Sequence, residues 1–279
     1  MITKSKKTVK STHHTRDFLR TIGVPGMPRR TSRFDPGYDR ATLVSHLERS
    51  GDLIASLKIS MACWMVAKEA ATREKVRAAR RLKVPVCTGG GPFEIAAYFG
   101  KLPEFLDLCA DIGVTHIEAG AGFTEMKMKP KDVVRLASDR RLGVQFEVGE
   151  KHGGTFTSGV VDQLVDLGQE WLDAGALRIV VEGRESAKDV GLFDENGRLQ
   201  PKFAEKFVAA FGMERTIFEA PNKASQFALL NHFGPDVQLS NVRIEELLRV
   251  EIYRRGLHSD AFGHANLKPK GPTPGGRKR

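Results

Sequence analysis

Four hydrophobic segments of this chain each end in a glutamate and then break at glycine or proline. They are Ile117-Glu118-Ala119-Gly120, Phe146-Glu147-Val148-Gly149, Val180-Val181-Glu182-Gly183 and Phe218-Glu219-Ala220-Pro221. The acids are 29, 35 and 37 residues apart, enough for a helix to return the chain between one strand and the next. Such a repeat points to parallel strands that carry their carboxylates to one mouth. Carboxylates gathered there repel one another unless a cation or a proton sits among them.

The surrounding pattern supports this reading. Seven near-continuous apolar runs, Leu53–Lys58, Val84–Thr88, Thr115–Ala119, Val144–Val148, Arg178–Glu182, Thr216–Ala220 and Val237–Leu239, read as buried strands covered on both faces. Helical spacing fills the gaps: Lys68–Leu82, Glu94–Phe99 with Glu104–Ile112, Pro130–Arg140, Ser158–Ala174, Pro201–Phe211, Ala224–Phe233 and Arg243–Arg254. Right-handed crossovers then leave an open doubly wound sheet or a closed barrel. The first run continues Lys58-Ile59-Ser60-Met61, without the Gly-x-Gly-x-x-Gly of a dinucleotide sheet. Polar residues at nearly every strand end favour an α/β fold with a single (β/α)8 TIM barrel, whose active site forms at the C-terminal mouth. The eighth strand is expected near Gly256–Asp260. The barrel is assigned to residues 34–262, between a basic arm (1–33) and a basic tail (263–279), both flexible.

The net charge of +10 belongs to those ends. Residues 1–33 hold nine Lys/Arg and one acid, and 261–279 hold five and none, which leaves 34–260 at about −3. Neither end interleaves aromatics for base stacking, so nucleic acid is not an expected partner. No run approaches the roughly 20 apolar residues of a membrane span. Cys63, Cys87 and Cys109 lack metal-ligand spacing and read as reduced thiols, which places the chain in the cytoplasm. A homo-oligomer is expected.

Several residues could do chemistry at the mouth. Lys58 ends the first apolar run, and Lys151 follows Glu147 in the glycine-flanked segment Glu147-Val148-Gly149-Glu150-Lys151-His152-Gly153-Gly154. A lysine among carboxylates is a candidate proton donor or acceptor, or one half of a structural ion pair. Gly89 and Gly90, in Thr88-Gly89-Gly90-Gly91-Pro92, let backbone N–H groups approach an anion. Arg184, Asn241, Arg243 and Arg255 are candidates for a phosphate or carboxylate, Arg255 through the pair Arg254-Arg255. Glu118, Glu182 and Glu219 are the candidate metal ligands, with Mg²⁺ the expected cofactor. Carboxylates, two lysines and an arginine corner suit a small anionic phosphorylated substrate and enolate chemistry. There a cation stabilises the enediolate and lysine handles the α-proton.

The same blocks carry a family resemblance. Gly89-Gly90 with Phe93-Glu94, Phe146-Glu147-Val148-Gly149-x-Lys151, Glu182-Gly183-Arg184-Glu185-Ser186, Gly191-Leu192-Phe193-Asp194, Phe218-Glu219-Ala220-Pro221-x-Lys223 and Arg254-Arg255-Gly256-Leu257 resemble phosphosulfolactate synthase, collinearly from about Asp35 to Phe262. The resemblance implies a TIM-barrel carbon–sulfur lyase that adds sulfite to phosphoenolpyruvate with Mg²⁺, an early step towards coenzyme M. It places the lysine that protonates the enolate at Lys151, and the family's first-strand lysine at Lys58. The chain departs from the family pattern at Ile59-Ser60-Met61-Ala62-Cys63, at Gly120-Ala121-Gly122, where an acid is lost, and at Gly256-Leu257-His258-Ser259. Another nucleophile or substrate on the same enolate chemistry is therefore one alternative. Plant heat-stress-associated proteins share the family fold, so a non-catalytic role is the other.

Overall fold

The structure, a computed structural model, describes residues 14–24 and 26–271. Its strands are β1 (Thr31–Asp35), β2 (Ile54–Ile59), β3 (Val86–Thr88), β4 (His116–Gly120), β5 (Gly143–Val148), β6 (Ile179–Val181), β7 (Thr216–Glu219) and β8 (Gln238–Arg243). They pair in parallel, in chain order, and close into one barrel. The helices are α1 (His14–Thr21), α2 (Arg40–Ser50), α3 (Cys63–Val66), α4 (Glu69–Arg81), α5 (Gly90–Tyr98) and α6 (Leu102–Ile112). They continue with α7 (Pro130–Ser138), α8 (Ser158–Asp173), α9 (Pro201–Phe211), α10 (Lys223–Phe233), α11 (Leu247–Arg254) and α12 (Ser259–Phe262).

Local chemistry sets these boundaries. Helix α6 starts with Pro103 in its first turn and buries Leu102, Phe105, Leu106, Cys109 and Ile112. It stops at Gly113, whose φ of +93° is the left-handed conformation that glycine adopts without penalty. Helix α10 begins at Asn222, whose side chain accepts from the Ser225 amide while the Ser225 hydroxyl accepts from the Asn222 amide. The helices bury their apolar faces on the barrel wall, where Phe146 of β5 stacks on Trp171 of α8 at 4.2 Å between ring centroids.

The closing strand is not where the sequence placed it. Gly256–Asp260 forms a turn leading into α12, and Gly256 has a φ of +66°. A Cβ there would sit 2.2 Å from the Leu267 carbonyl oxygen, so the backbones approach too closely for any other residue. Closure comes instead from β1, in which Phe34 pairs with Lys58 on one side and Arg243 on the other. All five β1 residues are buried although four are polar. Most of their polar groups are partnered locally: the Ser32 hydroxyl meets the Ser56 hydroxyl at 2.9 Å, and Arg33 Nε donates to the Val242 carbonyl at 3.2 Å, while Arg33 Nη2 is buried without a partner among the described residues. The barrel thus begins at Thr31, ahead of the expected edge at residue 34.

Part of the expected C-terminal tail is also packed. Leu267 is buried, and the Gly271 backbone lies directly against Ile22 after α1. The rest of the arm and tail, 1–13 and 272–279, lies outside the described residues. No helix among the described residues is long and apolar enough to cross a membrane.

Candidate active site

A cavity of about 620 Å³ opens at the C-terminal ends of the strands and is lined by Lys58, Glu118, Glu147, Lys151, Glu182 and Glu219 among others. Side chains alternate across a strand, so Glu118 on β4, Glu147 on β5 and Lys58 on β2 enter the barrel from positions of one parity. Glu219 ends β7, and Glu182 directly follows β6. All four acids are buried, as the repeat of strand-ending glutamates predicts.

Two lysines divide the four acids between them. Lys58 Nζ lies 2.6 Å from Glu118, 3.0 Å from Glu219 and 3.9 Å from Glu147, and donates to Asn241 Oδ1 at 3.2 Å. Lys151 Nζ lies 2.7 Å from Glu147 and 3.0 Å from Glu182. Their depths differ: the Lys58 side chain is 6% exposed and that of Lys151 is 26% exposed. Only the second is open to a molecule entering the cavity.

Backbone and amide donors fix the carboxylates further. Glu118 accepts from the Gly90 amide at 3.2 Å and from Gln145 Nε2 at 2.8 Å. Glu219 accepts from the amides of Gly183 and Arg184, each at 3.1 Å. The Arg184 amide also reaches Glu182 at 2.6 Å. That amide is aimed by a backbone φ of +53°, a conformation rare outside glycine that concentrates at functional sites. The Arg184 guanidinium donates to the Lys151 carbonyl at 2.7 Å and so ties two mouth loops together.

Four carboxylates facing two ammonium groups leave the mouth two negative charges in excess, and the titration behaviour reflects that excess. Burial and the neighbouring Glu147 and Glu219 outweigh Lys58 and push Glu118 up to about 7. Burial, with Glu147 and Glu219, pushes Glu182 up to about 10. Glu147 is also buried, yet Lys151 and Lys58 flank it and hold it down at about 2. Burial disfavours charge on both lysines, but the acids around them prevail and raise each above the ordinary lysine range.

Glu118, Glu147 and Glu219 can place one oxygen each within 4.8 Å of the others, and all three are buried. The Lys58 ammonium lies 2.6–3.9 Å from all three, so a hard divalent cation would suit this donor set with Lys58 moved aside. Glu147 therefore joins the cluster expected from Glu118 and Glu219, while Glu182 is held by Lys151 and the Arg184 amide.

The remaining candidates divide between the two ends of the barrel. Gly89 and Gly90 line the cavity at the start of α5, and Asn241 lines it from β8 with a φ of +57°. Arg243 is exposed and shares a small adjoining hollow with Phe34, Arg184 and Asn241. Arg255 lies at the opposite end. Its partner is Glu251, which in turn accepts from the hydroxyl of Thr31, where β1 begins. The reason is topological: a helix that follows a barrel strand runs back to the N-terminal face, so the end of α11 cannot reach the mouth.

The sequence reading missed Gln145 and Phe34. Gln145 had a usable signal, since it stands two residues before Glu147 on the same strand and so shares its face. Phe34 had none while its strand went unrecognised.

Comparison with known proteins agrees with this geometry. The family model for (2R)-phospho-3-sulfolactate synthase (ComA) matches residues 25–260. The phosphosulfolactate synthase of Methanocaldococcus jannaschii is 32% identical over 230 residues, covering 82% of this chain and 92% of that one. That of Methanothermobacter thermautotrophicus is 31% identical over 255 residues, covering 90% and 98%. Among solved structures, KGPDC from Streptococcus mutans superposes with a TM-score of 0.51 at 13% identity, over 87% of this chain and 96% of that one, a likeness of fold alone. The chain belongs to the (2R)-phospho-3-sulfolactate synthase family.

Proposed function

We propose that the protein is a carbon–sulfur lyase of the phosphosulfolactate synthase type that joins sulfite to phosphoenolpyruvate in the cytoplasm. The observation that carries this reading is Lys151: a charged lysine, exposed to the cavity, held between two carboxylates beside a buried three-acid cluster. Sulfite sulfur attacks C3 of phosphoenolpyruvate, and the C2=C3 electron pair moves towards the carboxylate as an enolate. Lys151 then delivers its proton to C2, which completes the addition. The raised pKa of Lys151 keeps that proton in place at neutral pH, as a donor requires.

Glu118, Glu147 and Glu219 are the residues that would hold Mg²⁺. When bound, the ion supplies Lewis-acid stabilisation of the negative charge developing on the substrate. Lys58, deeper in the barrel, offsets the charge of Glu118 and Glu219 and holds them in place. Arg184, Asn241 and Arg243 flank the side on which a phosphate would enter, with the Gly89 and Gly90 backbone opposite.

The test is direct. Mass spectrometry of the products from phosphoenolpyruvate, sulfite and Mg²⁺ should show the sulfonated adduct, and Lys151→Ala should abolish it; unchanged turnover in that variant would end the assignment. A second reading keeps the enolate chemistry but changes the nucleophile. It is favoured by Met61 and Ala62, which line the cavity where the chain departs from the family pattern. Offering several nucleophiles in the same assay separates the two readings.

The exposed apolar side chains Met65, Val66, Ile95, Tyr98 and Phe99 on α3, α5 and the turn after it suit contact with further copies of the chain. Light scattering on the purified protein tests that part of the proposal.

A further inference from the structure

Glu94 lies behind the mouth, on the inner face of α5, with no exposure to solvent. Among the described residues its carboxyl group pairs with no cation. One oxygen, Oε2, accepts three hydrogen bonds from the segment that follows β4: the Phe123 amide at 3.0 Å, the Thr124 amide at 3.0 Å and the Thr124 hydroxyl at 3.2 Å. The other oxygen, Oε1, is buried without a hydrogen-bond partner and lies 3.3 Å from where a Cβ on Gly120 would stand. Burying a carboxyl group with one oxygen unpartnered costs free energy, which the three bonds to the other oxygen must offset.

The segment that Glu94 grips is the one against which Lys151 rests. The Lys151 amide donates to the Gly122 carbonyl at 3.1 Å. A Cβ on Gly122 would lie only 3.0 Å from Lys151 Cγ, so the bare α-carbon of Gly122 forms the seat for the lysine stem. Gly149, Gly153 and Gly154 flank Lys151, and its own loop alone holds it weakly. Beside the ion pairs of its ammonium with Glu147 and Glu182, two ties hold its backbone among the described residues: the Arg184 guanidinium on its carbonyl and the Gly122 carbonyl on its amide.

We infer that Glu94 is a positioning residue for Lys151: by clamping Phe123 and Thr124 it fixes Gly122, and Gly122 fixes where the ammonium group stands over the mouth. The kinetic part of this inference rests on the reading of Lys151 as the proton donor; the geometric part does not. Glu94 is not among the residues that line the mouth cavity.

The experiment compares Glu94→Ala, Glu94→Gln and Thr124→Val, each checked for an unchanged melting profile. Glutamine can present a carbonyl oxygen to the same three donors, so it should keep the clamp although it removes the charge. Misplacing a reacting group by about 1 Å costs about 100-fold, so kcat with phosphoenolpyruvate and sulfite should fall by that order in Glu94→Ala. The KM for phosphoenolpyruvate should move little, Glu94→Gln should restore kcat to near the starting value, and Thr124→Val should cost a few-fold. Hydrogen exchange at the amides of Phe123, Thr124 and Lys151 should accelerate in Glu94→Ala and not in Glu94→Gln. If Glu94→Ala does not fold, Glu94→Gln and Thr124→Val carry the test. A Glu94→Gln variant as slow as a catalytically dead one, or folded Glu94→Ala with normal exchange at Lys151, would overturn the inference. If the unmodified protein does not turn over these substrates, the exchange data still decide the clamp, and only the reading of Lys151 has failed.

Discussion

The two ends of this barrel both bury charge, and they do so in opposite ways. At the N-terminal end Arg254 uses its whole guanidinium: Nε donates to Glu251, one terminal nitrogen to the carbonyls of Pro235 and Val237, and the other to the Thr31 hydroxyl. Glu251 accepts from Arg254, Arg255 and Thr31. Every group in that network has a partner, so nothing is left for a ligand to supply. At the C-terminal end four acids share two lysines, and two of the acids are pushed far above the ordinary carboxylate range. A closed network fastens β1 and β8 to α11. An open one, short of positive charge, is what a binding site for a cation and an anionic substrate requires.

That contrast can be broken most severely at Lys151. Losing a positioned proton donor costs about 10²- to 10⁴-fold, so steady-state kinetics of Lys151→Ala should show a fall in kcat of that size with the melting temperature little changed. The opposite end should behave in reverse. Glu251→Ala leaves Arg254 buried without its carboxylate, a loss of about 3–5 kcal/mol in urea unfolding. The kcat per folded molecule should stay as it was. A variant at either end that disturbed both quantities equally would erase the distinction.

The pH dependence sharpens the comparison further. In the metal-free protein Glu118 takes up its proton with a folded pKa of about 7 against an ordinary 4.5. A raised carboxyl pKa stabilises the fold fully below the unfolded value, and that contribution is lost as pH rises through the folded one. Glu147, lowered to about 2, acts in the other direction and is lost as pH falls below the ordinary range. Urea titrations in chelator should therefore show stability declining from about pH 4.5, through about pH 7 for Glu118 and on to about pH 10 for Glu182. Glu118→Gln should lessen the decline below pH 7 and leave the part that Glu182 carries. The smallest effect is expected at Arg243, whose side chain is exposed: Arg243→Ala should raise the KM for phosphoenolpyruvate a few-fold and leave stability within about 0.5 kcal/mol.

Much of this was legible in the chain. The glutamates that close successive apolar runs announced both the barrel and its acidic mouth, because strand parity and parallel direction leave few other places for them. The helices Pro201–Phe211 and Ser158–Asp173 could be read almost to the residue from their spacing and start signals. Strand β1 could not. Thr31, Ser32, Arg33 and Asp35 look like part of a basic arm, and only the closed barrel shows that most of their polar groups are met inside it. Arg255 was misplaced because sequence distance from the mouth says nothing about which way a helix runs. The three-acid cluster depends on which of four equivalent carboxylates lie closest, a matter of barrel register that no local pattern records.

The central claim, that the mouth is an under-neutralised acid site made for a divalent cation, is best tested by calorimetric titration of Mg²⁺ or Mn²⁺ near pH 7.5 in buffers of different ionisation enthalpy. One site, proton release as Glu118 gives up its proton, and loss of binding in Glu219→Gln are expected. Absence of binding, or binding that Glu118→Gln, Glu147→Gln and Glu219→Gln all leave untouched, would contradict it.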